Sequence, residues 1–447
     1  MLVPPLLLLP FVLSTGLDDA PSAPPNLLIL VADDVGVDQL ASYGEGADVP
    51  QTPYLNKLAK RGVLFRNAWA TPWCSPTRAS IVTGRYGFRT GIGSYLVTGD
   101  VEAFALPLDE VTLPELFDLG TGGAYQHAAI GKWHLGNATV GGPLAPNLAG
   151  WGDFGGIDGN IKAPNTYFLW PKTVNGNTFV LPRYATTDTV DTTLKWIDGA
   201  QEPWVAYVAF NAIHTPLHVP PKELFQVDVS SADPHLNPRP YYVAAAEAMD
   251  AEIGRLLKTL GGQVLSRTNI VFVGDNGSPK DMVVPPIAPW QHKGTHYEGG
   301  VRVPLLVTGP AVAEIGSEVG ALVHVADLFA TAAELAGIDL AATLPAGHAL
   351  DSVSLVPYLA DPAHPPLRDT VYTESFFPNG LGEPEEGFRA VRDARYKLVQ
   401  PIGDVELLYD LWLDPDEATN LLEGKLSTDE QGAYASLSAE LNALAGP

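Results

Sequence analysis

The sequence holds one cysteine, Cys74, and three methionines in 447 residues. A single thiol excludes an internal disulfide, so the fold must be held by its core. Positive charge is also scarce: 26 Lys and Arg against 51 Asp and Glu leave a net charge of −25. That excludes unspecific binding to nucleic acid or to an anionic membrane, because both need a basic face. An anionic ligand would have to be drawn in by a local basic pocket. Beyond the N-terminus no apolar run is long enough for a membrane helix. The opening run M-L-V-P-P-L-L-L-L-P-F-V-L is itself too short and too broken by proline to span a bilayer. It reads as a secretory signal peptide over residues 1–23, cleaved near Ala20 or Ala23, although the usual basic residue ahead of the apolar run is missing. No cysteine follows it to take a lipid anchor. The protein is therefore expected to be exported, periplasmic or secreted.

What is present is the composition of a packed globular chain, 46% hydrophobic and 17% charged. Short apolar runs alternate with helical patterns, the layout of an α/β fold whose mixed, largely parallel sheet lies between helices. N-L-L-I-L-V-A-D-D predicts a strand over 27–31 that ends in Asp33 and Asp34. A helix follows, with Thr52 as its cap, Pro53 as its first residue and Gly62 as its stop. H-A-A-I-G-K-W-H ends in Lys132 and His134, W-V-A-Y-V-A-F-N-A-I-H in His214, and N-I-V-F-V-G-D-N in Asp275 and Asn276. A long helix is expected over about 241–260, closing at Gly261. In open α/β sheets ligands bind outside the carboxyl ends of the strands. Each ending alone is an ordinary turn or a structural histidine. Four of them together point to one shared site.

Asp33, Asp34, Asp275 and Asn276 offer only oxygen, which is a hard-cation set for Ca²⁺ or Mg²⁺ rather than zinc. Adjacent strand residues point to opposite faces, so each pair converges only where the strand has broken into a loop. Gly36 and Gly277 would permit such turns. Lys132 and His134 are two apart, so in extended chain they share a face and could bind one anion. Lys293 lies in Q-H-K-G-T-H-Y-E-G-G, where His292 and His296 have the spacing of a helical zinc pair. The glycine and threonine between them speak against a helix and so against that metal. In W-C-S-P-T-R-A-S, Pro76 suits the first position of a helix and Ser75 its cap. Cys74 would then stand just outside a helix end that attracts anions, with Arg78 one turn on. Such a thiol is either a buried small hydrophobe or an acidic, reactive and modified residue.

C-S-P-T-R resembles the C-x-P-x-R signature of the type I sulfatases, in which the cysteine is oxidised to formylglycine. A-D-D-V-G, G-R-Y-x-x-R-T-G, G-K-W-H-L-G, A-I-H-T-P, G-D-N-G, H-K-G-T-x-x-E-G-G-x-R-V-P and L-Y-D-L-x-x-D-P-x-E-x-x-N-L resemble that family in order and spacing. The resemblance spans nearly everything after the leader. It implies an alkaline phosphatase-like fold with a smaller C-terminal subdomain, and hydrolysis of sulfuric esters. It implies a metal held by Asp33, Asp34, Asp275, Asn276 and position 74. Arg78, Lys132 and Lys293 would hold sulfate oxygens, His134 would contact the nucleophile or sulfate, and His214 would be the general acid. A hydrated formylglycine would carry two hydroxyls on one carbon, one to attack sulfur and one to expel sulfate. A formylglycine-generating maturation enzyme is an implied partner.

Residues 24–360 are read as the catalytic domain. After about Asp361 the pattern changes to short alternating strands, and 361–447 reads as a subdomain with a small antiparallel sheet and a helix. That helix opens on a capping box at Ser427 and Glu430 and carries an apolar stripe of Tyr434, Leu437, Leu441 and Leu444. Residues 141–182 read as a loop insertion, whose Trp151, Tyr167 and Trp170 either stack on a sugar or anchor the loop. G-I-G-S-Y-L…L-P-L-D-E-V-T-L-P-E-L-F resembles the carbohydrate-sulfate members of the N-acetylgalactosamine sulfatase type. With so acidic a chain, a sulfated small molecule or oligosaccharide is the expected substrate rather than a densely sulfated polymer. Two rivals stand beside this reading: a phosphonate or phosphate ester hydrolase of the same superfamily, and an inactive sulfated-glycan binder whose Cys74 stays a thiol.

Overall fold

Each apolar run becomes a strand buried along its length. In β1 (Asn26–Ala32) every residue is buried. Its side chains alternate between two apolar layers, Leu27, Ile29 and Val31 in one and Leu28, Leu30 and Ala32 in the other. Each such Leu, Ile or Val contributes about 1.5–3 kcal/mol by leaving water. The computed structural model describes residues 24–97, 103–229 and 233–444, so the expected signal peptide lies outside it.

The sheet is completed by β2 (Gly62–Trp69), β3 (Gln126–Lys132), β4 (Asp153–Ile157), β5 (Trp170–Val174) and β6 (Asn177–Leu181). To these are added β7 (Trp204–Ala209), β8 (Thr268–Gly274), β9 (Leu305–Thr308) and β10 (Ser317–His324). Their order is β10-β2-β9-β8-β1-β7-β3-β4-β5-β6. β8, β1, β7, β3 and β4 run parallel to their neighbours in that order, as do β10 and β2. β9 is antiparallel to β2 and β8, and β5 to β4 and β6. Helices Cys74–Thr83 and Asp327–Leu335 pack into one apolar layer, and Pro53–Arg61 and Arg239–Leu265 into the other. The expected α/β architecture is present. The four strands whose ends carry the candidate residues, β8, β1, β7 and β3, are consecutive neighbours.

Local expectations fare unevenly. Pro53 does open its helix, but the Thr52 side chain makes no capping bond. The carboxylate of Asp250 accepts the N–H groups of Tyr54 (3.1 Å) and Leu55 (2.7 Å) instead. Gly62 has φ −133°, so it is not a left-handed stop. A Cβ there would lie 2.1 Å from the Val307 carbonyl oxygen, and close approach of β9 is its reason. Gly261 does interrupt the long helix, at φ 71°, although helical turns resume to Leu265. The stretch 141–182 is not a loop insertion, since it supplies β4, β5 and β6. Trp151, Tyr167 and Trp170 are 1%, 1% and 2% exposed, so they anchor that region and offer no ring to a sugar.

A second sheet, β11 (Val371–Phe377), β12 (Glu386–Arg392), β13 (Tyr396–Pro401) and β14 (Leu407–Asp410), is antiparallel in that order. Helix Thr428–Leu444 lays Leu437 and Leu441 against Tyr372, Leu398 and Leu408. Its capping box forms as expected: Ser427 N–H donates to Glu430 Oε2 (2.6 Å), and Glu430 N–H to Ser427 Oγ (3.4 Å). Glu298 ties this sheet to the first, accepting from Arg392 (2.9 Å) and Lys397 (3.3 Å). Lys397 also pairs with Glu417 at 2.8 Å. Among the described residues no helix is long and apolar enough to cross a membrane.

Candidate active site

β1 ends at Ala32, and Asp33 and Asp34 follow it, 0% and 4% exposed. Asp34 has φ 63°, and this left-handed residue breaks the strand so that the two carboxylates can converge. Gly36 and Gly277 serve differently from expectation. Neither has positive φ. A Cβ on Gly36 would meet Asp38 Oδ1 at 2.6 Å, and one on Gly277 the Gly299 carbonyl oxygen at 1.8 Å. Gly36 makes room for the Asp38 and Ser278 side chains, and Gly277 lets two backbone segments touch. Oxygens of Asp33, Asp34 and Asp275 lie within 4.8 Å of one another. Asp34 N–H donates to Asp275 Oδ1 (3.1 Å), and Asn276 Nδ2 to Asp34 Oδ1 (2.8 Å).

Three buried or half-buried cations answer these acids. Arg78, fully buried, donates to Asp275 Oδ2 through Nη2 (2.7 Å) and Nε (3.1 Å), and to the Lys132 carbonyl (2.9 Å). Lys132 Nζ donates to Asp33 Oδ2 at 2.5 Å, and Lys293 Nζ donates to Asp34 Oδ1. Burial pushes Asp33 up, but Lys132, His214, Arg78 and Lys293 overcome it and hold the carboxyl well below the usual range. Burial and the neighbouring charge of Asp33 push Asp275 up to about 6. Burial opposes a charged Lys293, yet Asp34 and its neighbours hold it above its ordinary value.

Asp33 Oδ1 and Asn276 Oδ1 are buried side-chain oxygens without a hydrogen-bond partner. Leaving such atoms unpaired is costly, and a hard divalent cation is the ligand that an all-oxygen set of this kind fits. Asp33, Asp34, Asp275 and Asn276 can therefore hold a metal.

The helix of Cys74 begins two residues earlier than its proline suggests. Cys74 is its first residue, Trp73 its extended N-cap, and no side chain caps it. Ser75 Oγ instead accepts the Leu96 N–H at 3.1 Å. All residues of Cys74–Thr83 are buried, so the helix is a core element. Cys74 Sγ lies 3.2 Å from His134 Nδ1, and His134 Nε2–H donates to the Leu96 carbonyl at 2.9 Å. Nδ1 is then an acceptor and the thiol its donor. Burial pushes Cys74 up, against the pull of Lys132 and Lys293, and pushes His134 well down. Burial thus favours a neutral thiol and imidazole, the buried rather than the acidic of the two readings of Cys74. His134 has φ 59°, which turns it away from the extended geometry that would have placed it beside Lys132. The two residues go to different partners, Cys74 and Asp33.

A cavity of about 580 Å³ opens over this cluster, bordered by Asp34, Trp73, Cys74, Tyr95, His214 and Lys293 among others. Arg78, Lys132, His134 and Asp275 stand behind that wall. His214 Nδ1–H donates to the Thr215 carbonyl (2.9 Å), which leaves Nε2 to exchange a proton. Burial pushes His214 down, and Asp34 and Asp33 oppose that shift. All ten candidate residues thus meet at or directly behind one cavity. Trp73 and Tyr95 were missed as wall residues, although both sit inside segments already singled out. Of the rejected zinc pair, His292 donates to the Lys293 carbonyl (2.7 Å), while His296 packs among the rings of Tyr297, Phe388 and Tyr409.

The chain is similar to known proteins over most of its length. The Sulfatase family model matches residues 25–338, and the model for the N-sulphoglucosamine sulphohydrolase C-terminal region matches 288–445. The chain is 31% identical to Bos taurus arylsulfatase A over 479 residues, covering 94% of this chain and 86% of that protein. It is 30% identical to Homo sapiens N-acetylgalactosamine-6-sulfatase over 376 residues, covering 77% and 67%. The structure of Ps i-CgsB in complex with k-i-k-neocarrahexaose shares the fold, with TM-score 0.77, 24% identity and coverage of 95% and 93%. The chain belongs to the sulfatase family. It is an enzyme that hydrolyses sulfuric esters, and these relatives do not favour the phosphonate hydrolase reading.

Proposed function

We propose that the enzyme releases sulfate from a carbohydrate sulfate, on an oligosaccharide or at a chain end. In this reading position 74 is matured to formylglycine, and Ca²⁺ or Mg²⁺ is held by Asp33, Asp34, Asp275, Asn276 and position 74. The observation that carries it is the meeting of the lone cysteine with three acids and three cations beside one cavity. When bound, the cation would polarise sulfate oxygens and acidify the attacking hydroxyl. The hydrated aldehyde would supply that hydroxyl and a second one that lets sulfate leave.

The chain's own residues do the rest. Lys293, on the cavity wall, takes a sulfate oxygen, and Arg78 and Lys132 add positive charge one layer behind. His134 orients the group at position 74 through Nδ1. His214 gives a proton from Nε2 to the leaving oxygen. A sugar sulfate is supported by the name of the N-acetylgalactosamine-6-sulfatase relative, and a sparsely charged substrate by the net charge of −25. Export, maturation by a formylglycine-generating enzyme, a catalytic domain over 24–360 and a subdomain over 361–447 belong to the same reading. The two separate sheets support that division.

The test is co-expression with a maturase, followed by mass measurement of the tryptic peptide that carries position 74. Sulfate release is then compared between chain-end sulfated sugars and intact polymer, and rates between nitrophenyl sulfate and a nitrophenyl phosphonate ester. Full activity with an unmodified cysteine, or faster turnover of polymer, would contradict the reading.

A further inference from the structure

His214 sits in a tight turn. Its N–H donates to the Asn211 carbonyl (3.0 Å), while Asp33 N–H donates to the Ala212 carbonyl (3.0 Å) and Ile213 N–H to the Asp33 carbonyl (2.7 Å). Backbone bonds therefore fasten the middle of the turn to the end of β1. Its two ends are held by a side chain. The Tyr167 hydroxyl lies 2.5 Å from the Asn211 carbonyl oxygen and 2.7 Å from the His214 carbonyl oxygen, sharing its one hydrogen between them.

Tyr167 is itself immobilised. It is 1% exposed, and the His218 ring stacks on it at 3.9 Å between centroids. His218 is fixed in turn: its Nδ1–H donates to the Pro216 carbonyl (3.0 Å) and its Nε2 accepts from Tyr184 Oη (3.1 Å). Burial holds the Tyr167 phenol well above its ordinary range, so it remains a donor throughout the working pH range. A hydroxyl this rigid, placed across both ends of a turn, decides where the turn presents its imidazole.

We propose that Tyr167 is a positioning residue for His214, setting the imidazole against the leaving oxygen by bridging the carbonyls of Asn211 and His214. This rests on the reading of His214 as the proton donor. A proton donor matters most when the departing oxygen is strongly basic and little when it is already stable. Loss of position should therefore depend on the leaving group, whereas general loosening of the fold should not.

The experiment compares Tyr167→Phe, His214→Ala and the double variant, each matured, on a series of aryl sulfates and one sugar sulfate. Tyr167→Phe keeps the stacked ring and removes only the bridge. We expect it to lower kcat on the order of ten-fold for sugar sulfate and to leave nitrophenyl sulfate nearly unchanged. Leaving-group dependence should steepen in the direction that His214→Ala gives, and adding Tyr167→Phe to His214→Ala should cost nothing further. A uniform loss across the series, or additive losses in the double variant, would overturn the inference alone. A flat leaving-group dependence in His214→Ala would overturn the proton-donor reading and this inference with it.

Discussion

Two buried clusters of charge in this chain look alike on paper. At the strand ends Asp33, Asp34 and Asp275 meet Arg78, Lys132 and Lys293. Between the two sheets Glu298 and Glu417 meet Arg302, Arg392 and Lys397. In the second cluster several donors serve each acid. Glu298 accepts from Arg392, Lys397 and Trp69, and Glu417 from Gln291 and the Glu298 N–H while pairing with Lys397. Glu417 Oε1 lacks a hydrogen bond but faces the Lys397 ammonium at 2.8 Å. The first cluster, by contrast, leaves Asp33 Oδ1 and Asn276 Oδ1 with neither a hydrogen bond nor an ion pair and opens on a cavity. Buried charge alone therefore does not mark function here. Oxygen with neither a hydrogen bond nor an ion pair, beside open space, is what sets the first cluster apart.

The comparison breaks most sharply at Cys74. Replacement by alanine should reduce sulfate release on the order of 10⁴-fold or more, with the thermal midpoint close to the parent's. A residual rate near that of the parent would show that position 74 is not the nucleophile. Removal of divalent ions by a chelator should cost roughly 10²- to 10³-fold in kcat and lower the thermal midpoint. Ca²⁺ or Mg²⁺ should restore both. If chelation left both unchanged, the strand-end cluster would be as closed as the other one.

The interface cluster should respond in the opposite way. Lys397→Met leaves Glu298 and Glu417 short of a shared cation and should destabilise the protein by about 3–5 kcal/mol, read from urea unfolding. Turnover by the folded enzyme at low temperature should persist. Lost turnover at unchanged stability would erase the contrast between the two clusters.

The smallest effect concerns pH. Glu374, buried on β11, accepts from Phe88 N–H (2.8 Å) and Tyr372 Oη (3.0 Å), and burial pushes it up to about 7. Between its ordinary value of 4.5 and about 7 the native state keeps a proton that the unfolded chain has released. Its contribution to stability therefore falls as pH rises through that window. Glu374→Gln cannot ionise and should gain on the parent by about 1–3 kcal/mol between pH 5 and pH 8. A constant difference at the two pH values would place Glu374 in contact with solvent.

Much of the site was legible because its residues sit next to strong local signals. Apolar runs that stop at Asp33, Lys132, His214 and Asp275 mark strand ends without any tertiary knowledge. Local rules failed where a distant group competes for the same atoms. Thr52 was read as a cap, but Asp250 supplies the carboxylate. Ser75 was read as a cap, but Leu96 takes its hydroxyl. The helix end left the thiol open between a buried small hydrophobe and an acidic group, and burial outweighs the field of the helix.

By itself the sequence determined the strand ends, the residue types gathered there, and a chemistry of oxygen ligands, cations and one thiol. Only the tertiary structure decided that β8, β1, β7 and β3 lie side by side, that Arg78 and Lys132 stand behind the cavity wall, and that Tyr167 holds the turn of His214. The reason is physical. Strand ends are written in local hydrophobic pattern, whereas strand order, burial and shared hydrogen bonds depend on groups far apart along the chain.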